Sequence, residues 1–435
     1  MRVKTAPLSA FGAFLPMSSA YRSSAYCGID FGTSNSAVCV GQGDRVRLTP
    51  IEGEAVTLPS AIFFNMETDT VSFGRQAIHE YLDHFDGRLM RALKSILGSS
   101  LIGETTQVGN RRKDFRAIIG LYIAELKARA ERFAGQPIDR VVLGRPVRFV
   151  DGDDVADARA ETELRGIASD QGFREIAFEY EPLAAARDYQ SGLAQAETVL
   201  VADIGGGTSD FSVVELAPPG GQDHILGNGG CHIGGTDFDT RLSLATIMRD
   251  MGYRSRLKSG LEMPGLYYHQ LSTWHLINFL YTQKTMAGAR QLHHQAADRR
   301  LTQRLIATLE THTGHSLAAK VEQAKIALSE ADVTSLDLSE IDADWGARIT
   351  RDALKDAVAS DLQRVVDAAV DTVTVKAGIA PDAVETLFMT GGSTALPGFE
   401  AGMRAAFPKA RLHYGDRFSS VASGLGLAAR ERYGA

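Results

Sequence analysis

Two distant stretches of the chain repeat one pattern. In residues 26–40, a short apolar run ends at Asp30 and is followed by a Gly/Thr/Ser turn and a second β-prone run. In residues 199–214, the same order recurs around Asp203. The pattern predicts a β-hairpin with a glycine-rich tip in each stretch. Because the two aspartates stand much further apart than the length of a solenoid unit, the repeat indicates two similar domains in tandem.

The segments around the hairpins alternate between strand-like and helix-like patterns. Hydrophobic periodicity predicts helices and buried strands, the helices at 115–133, 153–171, 317–331 and 351–376 and the strands at 140–144 and 385–389. Alternation of this kind favours a layered α/β architecture. Residues 252–316 break it with glycine, proline and an aromatic-rich stretch, so we expect an insertion made largely of helices.

The composition excludes several classes of protein. Of the 435 residues, 44% are apolar and 23% are charged, which is typical of a globular protein and not of a disordered or collagen-like chain. The net charge of −7, without a basic block, gives no electrostatic reason to expect a nucleic-acid partner. No apolar run reaches the roughly 18 residues that a membrane span requires, so we expect no membrane partner.

The cysteines and the N-terminal residues bear on the cellular location. Cys27, Cys39 and Cys231 are odd in number and lack metal-ligand spacing, so we expect buried apolar thiols in a reducing compartment. Residues 1–24 lack the clean apolar core of a signal peptide, and we expect them to form a disordered extension. These features predict a cytoplasmic protein.

Glycine-rich turns at strand ends expose backbone N–H groups that can wrap a phosphate. The sequence contains three of them, at residues 32–34, 205–208 and 391–393. The first two follow Asp30 and Asp203, and a carboxylate beside a phosphate needs a cation between them. These aspartates therefore suggest a hydrated Mg²⁺, with Asp210 holding part of its water shell. An ordinary turn explains either hairpin alone, but the pair together favours the phosphate site.

These motifs resemble those of the actin/Hsp70/sugar-kinase ATPase superfamily and, within it, the Hsp70 nucleotide-binding domain. Residues 28–36 resemble the first phosphate motif, 203–210 the second, and 388–394 the adenosine motif. Four further stretches resemble Hsp70 rather than actin or a sugar kinase, namely 181–186, 234–239, 325–329 and 93–98. The resemblance runs in order from about residue 26 to 430.

The resemblance implies an α/β, actin-like ATPase fold in which two duplicated lobes enclose a nucleotide cleft. Lobe I would comprise residues 25–197, with 416–435 returning to it, and lobe II residues 198–415. Residues 240–320 would form an enlarged outer subdomain of lobe II, since the connection from Phe238 to Glu322 exceeds the usual family length by several dozen residues.

The resemblance also implies ATP or ADP and Mg²⁺ as ligands. Lys94 would approach the γ-phosphate and the attacking water, and Glu181 would order metal-bound water from the opposite lobe. Asp203 and Thr208 complete the implied catalytic set, and Asp30, Asp203 and Asp210 would hold the metal through water. Without the resemblance, helical spacing alone would favour a solvated surface position for Lys94.

The remaining implied nucleotide contacts lie in the turns and on one helix. Glu322, Lys325 and Ser329 recur at the spacing of one helix face, as a shared ribose and adenine contact requires. A plain surface pair of Glu322 with Lys325 is the alternative interpretation. The implied contact residues are Gly32, Thr33, Ser34, Asn35, Gly205, Gly206, Gly207, Thr208, Gly234, Gly235, Glu322, Lys325, Ser329, Gly391, Gly392 and Ser393.

The sequence departs from the family pattern at several positions. Ala395 stands where many Hsp70s have an arginine over the adenine, and Ile326 follows Lys325, so adenine would be held less tightly or the choice of purine would be looser. A late acidic residue is replaced by Phe418 or displaced to Asp416. The sequence ends shortly after the last predicted helix, so we expect no peptide-binding domain. In this it is similar to the short YegD-type Hsp70-like proteins.

The insertion at 252–316 allows two interpretations. Its apolar and aromatic residues Leu271, Trp274, Ile277 and Tyr281, together with Asn278, recur at helical spacing and predict an amphipathic helix packed on its own lobe. The alternative is a docking surface for a protein client or partner, since aromatic residues are common interface anchors. The paired His293 and His294 point in different directions on a helix and do not predict a metal site, and His312 and His315 are predicted to be solvated.

Together these features predict an Hsp70-like chaperone that binds Mg-ATP and hydrolyses it slowly, with water as the nucleophile. Two alternatives stay open. The protein could bind nucleotide as a scaffold or regulator with little or no hydrolysis. Less favoured is a small-molecule kinase of the same superfamily, because no general base beside a substrate pocket is evident. Actin-like polymerisation would be detected as nucleotide-dependent light scattering.

Overall fold

The computed structural model describes residues 24–83, 85–150, 153–416 and 419–434. Apart from Ser24, the predicted N-terminal extension lies outside these residues, and so does Phe418. The strands are β1 (Ala25–Phe31), β2 (Asn35–Gln42), β3 (Arg45–Leu48), β4 (Thr57–Pro59), β5 (Ala61–Asn65), β6 (Thr70–Phe73), β7 (Gly87–Arg91), β8 (Thr105–Val108), β9 (Arg111–Asp114), β10 (Arg140–Arg145), β11 (Glu175–Tyr180), β12 (Glu197–Ile204), β13 (Ser209–Leu216), β14 (His224–Cys231), β15 (Val333–Asp337), β16 (Gly346–Thr350), β17 (Thr386–Thr390) and β18 (Arg411–Tyr414).

The α-helices are α1 (Gly74–Leu82), α2 (Phe115–Ala134), α3 (Asp154–Asp170), α4 (Glu181–Gln190), α5 (Gly235–Ala245), α6 (Ile247–Asp250), α7 (Leu266–Leu271), α8 (Gln283–Gln295), α9 (Arg299–Glu310), α10 (Gly314–Ala327), α11 (Arg351–Asp371), α12 (Phe399–Ala406) and α13 (Ser420–Tyr433). Short 3₁₀ helices lie at Leu93–Ile96, Ser100–Gly103, Trp274–Leu280, Pro381–Ala383 and Gly392–Ala395, and a π-helical turn at Thr372–Lys376 follows α11.

Two large sheets share one topology, as the internal repeat predicts. Sheet I has the order β3-β2-β1-β10-β11, with β4 also pairing with β2, and sheet II has the order β14-β13-β12-β17-β18. Each sheet is built on an antiparallel hairpin, β1–β2 or β12–β13, whose first strand also pairs in parallel with a later strand. We call sheet I with the elements packed on it lobe I, and sheet II with its elements lobe II.

The two sheets are buried on both faces, which explains their near-continuous apolar strands. One face of sheet I packs on α2 and α3, with Ile29 and Tyr122 fully buried there. The opposite face packs on α4 and α13, which also contact sheet II through Val199 and Val201. Beyond sheet II, α5 and α11 close the core. The two hairpins therefore lie on either side of a shared central helical layer.

Helix α13 approaches sheet I very closely. A Cβ on Gly28 would lie 2.4 Å from the backbone nitrogen of Gly426, and one on Gly424 would lie 1.8 Å from the carbonyl oxygen of Ala184. No larger residue fits at these crossings without moving the backbone. Glycine here lets α13 pack between β1 and α4, so the last helix contributes to the core of lobe I.

Most of the predicted helices and strands outside the two hairpins are confirmed. The helices predicted at 115–133 and 153–171 are α2 and α3, and the strands predicted at 140–144 and 385–389 are β10 and β17. In the second half, α10 begins at Gly314 and already ends at Ala327, and the final turn of the helix predicted at 351–376 is π-helical.

The insertion is helical, as expected, but the single helix predicted over 271–281 is wrong. Helix α7 ends at Leu271, and the chain resumes as a 3₁₀ helix at Trp274. Thr240 donates a hydrogen bond to the carbonyl oxygen of Ser272 at 3.0 Å, which ties the break to α5. Leu271 and Ile277 are nevertheless buried in the core of lobe II, so the apolar residues pack on their own lobe.

The burial of the cysteines and of His315 tests two further predictions. Cys27 and Cys39 are buried free thiols, as predicted, whereas Cys231 is partly exposed. The prediction that His315 is solvated is wrong, because it is buried against Tyr81 and Trp274. Within the described residues, no helix combines the length and apolarity needed to span a membrane.

Candidate functional site

The structure brings the glycine-rich turns together between the lobes. We call residues 32–34, 205–208 and 391–393 turn 1, turn 2 and turn 3. A Cβ on Gly206 of turn 2 would lie 2.0 Å from Ser34 Oγ of turn 1. Gly391 of turn 3, at φ 86°, is so close to Asp203 that a Cβ would lie 2.5 Å from Asp203 Oδ1. The three turns therefore form one cradle of exposed backbone.

Neighbouring backbone holds these turns in place. Ser60 donates from its amide to Ser34 O at 2.8 Å and from Oγ to Gly32 O at 2.6 Å. On the other side, the Gly235 amide donates to Gly205 O at 3.0 Å, and Ser393 Oγ donates to the same oxygen at 3.2 Å. The remaining predicted turn residues Thr33, Asn35, Gly207, Gly234 and Gly392 lie in or directly beside this cradle.

Four carboxylates surround the cradle. Asp30 lies near the end of β1, and Asp203 of β12 stands opposite Asp210 of β13 in the sheet register. Thr208 donates a hydrogen bond to Asp210 Oδ2 at 2.7 Å. Glu181 begins α4, which lies between the lobes.

Burial is the main cause of raised pKa values at Asp30 and Asp203. Burial, reinforced by the carboxylate of Glu181, raises the pKa of Asp30 to about 8. Burial, reinforced by the carboxylates of Asp210 and Glu181, raises the pKa of Asp203 to about 7. Both carboxyl groups therefore retain protons up to about neutral pH, and a bound cation would favour their ionised forms.

Lys94 is the cation at the centre of this cluster. Its Nζ lies 2.5 Å from Glu181 Oε1, and only 11% of its side chain is exposed. Burial lowers the pKa of Lys94, but the carboxylates of Glu181 and Asp30 outweigh burial and hold the pKa above the usual value. A solvated surface lysine is therefore the wrong interpretation. Ala92 directly precedes the 3₁₀ helix that contains Lys94 and has a φ of 55°. Non-glycine residues rarely adopt this left-handed backbone conformation because it is strained.

The donor set fits a hydrated divalent cation. Carboxylate oxygens are ligands that Mg²⁺ prefers, and it usually binds through one or two of them while keeping several waters. In the part of the chain that the structure describes, no group of three or more Asp, Glu, His or Cys residues is placed to ligate a metal directly. A cation here would have to complete its coordination shell with water and phosphate oxygens.

The predicted base-binding residue Lys325 lies beside turns 2 and 3, since a Cβ on Gly235 would lie 3.4 Å from Lys325 Nζ, 3.5 Å from Gly206 Cα and 3.0 Å from Ser393 Oγ. Lys325 is buried, with its Nζ 2.9 Å from Asp239 Oδ1 and 3.0 Å from Gly235 O. A surface pair with Glu322 is therefore not the arrangement that Lys325 adopts. Ser329 follows the end of α10 at Ala327, so only Glu322 and Lys325 share the predicted helix face.

Sequence reasoning missed two charged residues of this region. Burial, reinforced by Glu322 and opposed by Lys325, raises the pKa of Asp239 to about 6. Arg91 at the end of β7 reaches the same cluster from lobe I, and burial lowers its pKa although Glu322 and Asp239 act in the opposite direction. Asp239 lies within the 234–239 stretch that resembles Hsp70, which was an available signal. No motif marked Arg91.

A contact between the lobes closes the cleft above this region. The Tyr81 hydroxyl of α1 donates to Asn278 Oδ1 at 2.8 Å and lies 3.1 Å from the ring nitrogens of His315. Arg91 stacks over the ring of Trp274 at 4.9 Å. The insertion of lobe II therefore meets the small sheet β6-β5-β7 of lobe I across the cleft.

Comparison with known proteins accounts for this arrangement. The family described as "Hsp70 protein" matches residues 26–255 and 292–430. A curated relative, the chaperone protein DnaK of Thermosipho melanesiensis (strain DSM 12029 / CIP 104789 / BI429), is 32% identical over 219 residues. That alignment covers 49% of this chain and 34% of the relative, so the chain spans about a third of the relative's length. The family match covers most of the chain and both turn-bearing hairpins, and the chain therefore belongs to the Hsp70 family and has its actin-like ATPase fold.

Proposed function

We propose that this chain binds ATP or ADP with Mg²⁺ between its lobes and hydrolyses ATP slowly. The observation that carries the proposal is the placement of Lys94. A buried lysine stands against Glu181, beside Asp30 and close to the turns that expose backbone N–H groups. This combination of a cation, carboxylates and free amides suits a triphosphate and a metal, and few other ligands need all three.

The roles of the residues follow from their positions. Amides of turns 1 and 2 would bind the phosphates from the two lobes. Turn 3 and Lys325 would contact the nucleoside. Lys94 would offset the negative charge that develops on the transferred phosphoryl group. Asp30, Asp203, Asp210 and Glu181 would hold Mg²⁺ through water, and the bound cation would neutralise phosphate charge.

A chaperone role is the broader part of the proposal. The relative is named a chaperone protein, and the hydrogen bond from Tyr81 to Asn278 joins lobe I to the insertion of lobe II, a contact that closure of the lobes could use. We propose that the chain is of the short YegD type within the Hsp70 family, that bound nucleotide controls closure of the lobes, and that a protein client uses the insertion. A cytoplasmic location belongs to the same proposal.

One observation favours the alternative of a nucleotide-binding regulator. Lys94 is engaged by Glu181, so it must be released, or share its hydrogen bonds, before it can contact phosphate. If nucleotide does not displace this pair, the protein would bind ATP without hydrolysing it.

Calorimetric titration of ATP, ADP and GTP, with and without Mg²⁺, tests the proposal. We expect ATP and ADP to bind far more tightly with Mg²⁺. Asp203→Asn should weaken binding about tenfold or more in Mg²⁺ and much less without it, because only the metal-linked part is lost. Asp382→Asn, at an exposed position of lobe II, is the matched control. Absence of ATP and ADP binding by the wild type would overturn the proposal.

A further inference from the structure

A basic corner stands out on the outer part of lobe II. Between residues 252 and 304 the sequence has eight Lys or Arg and two acidic residues, although the whole chain carries a net charge of −7. The exposed cations that define the corner are Arg254, Arg256, Lys258, Arg299 and Arg300. Part of this region, 256–291, falls outside the two segments that match the Hsp70 family.

The fold holds these cations together. The Lys258 amide donates to Gln295 O at 2.8 Å, and the Ala297 amide donates to Arg256 O at 3.0 Å. The loop that precedes α7 is thereby tied to the junction of α8 and α9. Lys258 and Arg299 both donate side-chain hydrogen bonds to His294 O, at 2.9 and 3.2 Å. These contacts hold Arg256, Lys258 and Arg299 around the junction, and Arg300 pairs with Asp298 of the same junction at 3.1 Å.

An acidic hairpin lies beside the corner. The hairpin with its flanking residues, 330–350, includes β15 and β16 and contains six carboxylates and one arginine, Arg348 of β16. Neighbouring cations offset three of them, since Arg304 pairs with Asp342 at 2.8 Å, Lys320 with Glu340 at 3.0 Å and Arg351 with Asp332 at 2.8 Å. The exposed carboxylates Glu330, Asp337 and Asp344 keep the hairpin negative.

Helix α9 joins the two surfaces. It presents Arg299 and Arg300 of the corner at its first residues, and little more than one turn later Arg304 contacts Asp342 of the hairpin. This separation is about 6–7.5 Å along the helix at 1.5 Å per residue. Opposite charges that lie side by side on one face are self-complementary, because a two-fold axis places each on its counterpart.

We propose that this outer face of lobe II binds a second copy of the chain, with the basic corner of each protomer on the acidic hairpin of the other. Leu261, in the loop of the corner and 67% exposed, would supply apolar contact area within the interface. The proposal commits to a second copy because both complementary charges are present in this one chain. A polyanion such as nucleic acid would be repelled by the hairpin.

The test measures the molar mass of the full chain by analytical ultracentrifugation. Protein from about 1 to 100 µM is compared in about 50 mM and about 500 mM NaCl, because salt screens exposed charge pairs. We expect a dimer in low salt whose dissociation constant rises about tenfold or more in high salt. A wild type that stays monomeric at every concentration would overturn the proposal.

Charge reversal identifies the surfaces. The triple variant Arg256→Glu/Lys258→Glu/Arg299→Glu and the triple variant Glu330→Lys/Asp337→Lys/Asp344→Lys should each be monomeric. An equimolar mixture of the two should dimerise again, since each reversed corner then meets a reversed hairpin. The matched control Arg45→Glu/Arg111→Glu/Arg112→Glu, on exposed residues of lobe I, should dimerise like the wild type.

Each result with these variants decides the matter. Dimers that persist in both triple variants, or a mixture that stays monomeric although thermal unfolding shows both variants to be folded, would contradict the interface. If only the corner variant changes the mass, another acidic surface is the partner and the assignment to the hairpin is wrong.

Discussion

At the scale of single residues, buried charge is the clearest mark of the site. Lys94, Asp30 and Asp203 lie where desolvation opposes ionisation, and a structure retains such groups when partners or ligands compensate them. The sequence indicated the aspartates because each ends a strand before a glycine turn. It could not indicate the depth of burial of Lys94, which depends on the start of α4 placing Glu181 against the lysine.

Asp239 should make the stability of the protein depend on pH. Its pKa is about 6 in the folded protein and about 3.8 in the unfolded chain, so the folded state retains a proton that the unfolded state loses. This contribution is complete below about pH 4 and is lost as the pH rises through 6. Chemical denaturation of wild type and Asp239→Asn should therefore show a difference in unfolding free energy that shifts in favour of the variant between pH 4 and 7.

The same series with Asp382→Asn controls for the loss of an exposed carboxylate. Comparison with the wild type removes the contributions of Asp30 and Asp203, which both proteins share. Unfolding free energies of wild type and Asp239→Asn that run parallel over this range would contradict the buried, proton-retaining state of Asp239.

At the scale of elements, the hairpins and the helical character of the insertion were predictable, and the break between Leu271 and Trp274 was not. Residues around Asp30 and Asp203 follow local strand and turn rules, and these rules gave β1–β2 and β12–β13 correctly. The helix predicted over 271–281 failed because burial of Leu271 and Ile277 sets the apolar pattern, and a 3₁₀ helix after a break satisfies that pattern as well as an α-helix does. Local spacing cannot distinguish the two.

Close backbone contact at turn 2 gives an element-scale prediction. A Cβ on Gly234 would lie 2.6 Å from the Gly207 amide nitrogen and 2.7 Å from the Gly206 carbonyl carbon, so no side-chain rotation relieves the clash. Gly234→Ala should displace turn 2 and weaken nucleotide binding about tenfold or more. Gly103→Ala is the matched control, because Gly103 is exposed outside the three turns and its Cβ would meet nothing within 4 Å.

Calorimetric titration of Mg-ATP into both variants measures the effect. The Gly103→Ala protein should bind Mg-ATP within about twofold of the wild type. Equal affinities of Gly234→Ala and wild type would show that turn 2 does not contact the nucleotide.

At the scale of the whole molecule, the contact between Tyr81 and the insertion should set the rate at which nucleotide leaves. Tyr81→Phe removes the hydrogen bonds to Asn278 and His315 while keeping the ring. The closed arrangement of the lobes should lose about 1 kcal/mol of stabilising free energy, and nucleotide release should accelerate about fivefold. Stopped-flow displacement of a fluorescent ATP analogue measures this rate.

Tyr253→Phe is the matched control, since the Tyr253 hydroxyl lies 3.1 Å from His269 Nε2, a contact that stays within the insertion of lobe II. A release rate of Tyr81→Phe equal to that of the wild type would show that the lobes open without breaking this contact. The sequence could not reveal the contact, because it joins α1 to a segment that differs in length from the family pattern.

The central claim concerns the whole site, and single-turnover hydrolysis of Mg-ATP tests it most directly. Wild type, Lys94→Ala and the control Lys284→Ala, an exposed lysine of the insertion, are compared with binding measured in each. We expect slow hydrolysis of ATP by the wild type and by Lys284→Ala. In Lys94→Ala the rate should fall about 10²-fold or more while ATP binding is retained. Equal turnover in wild type and Lys94→Ala, or tight binding without turnover in any of the three, would contradict the assignment of Lys94 and Glu181 to catalysis.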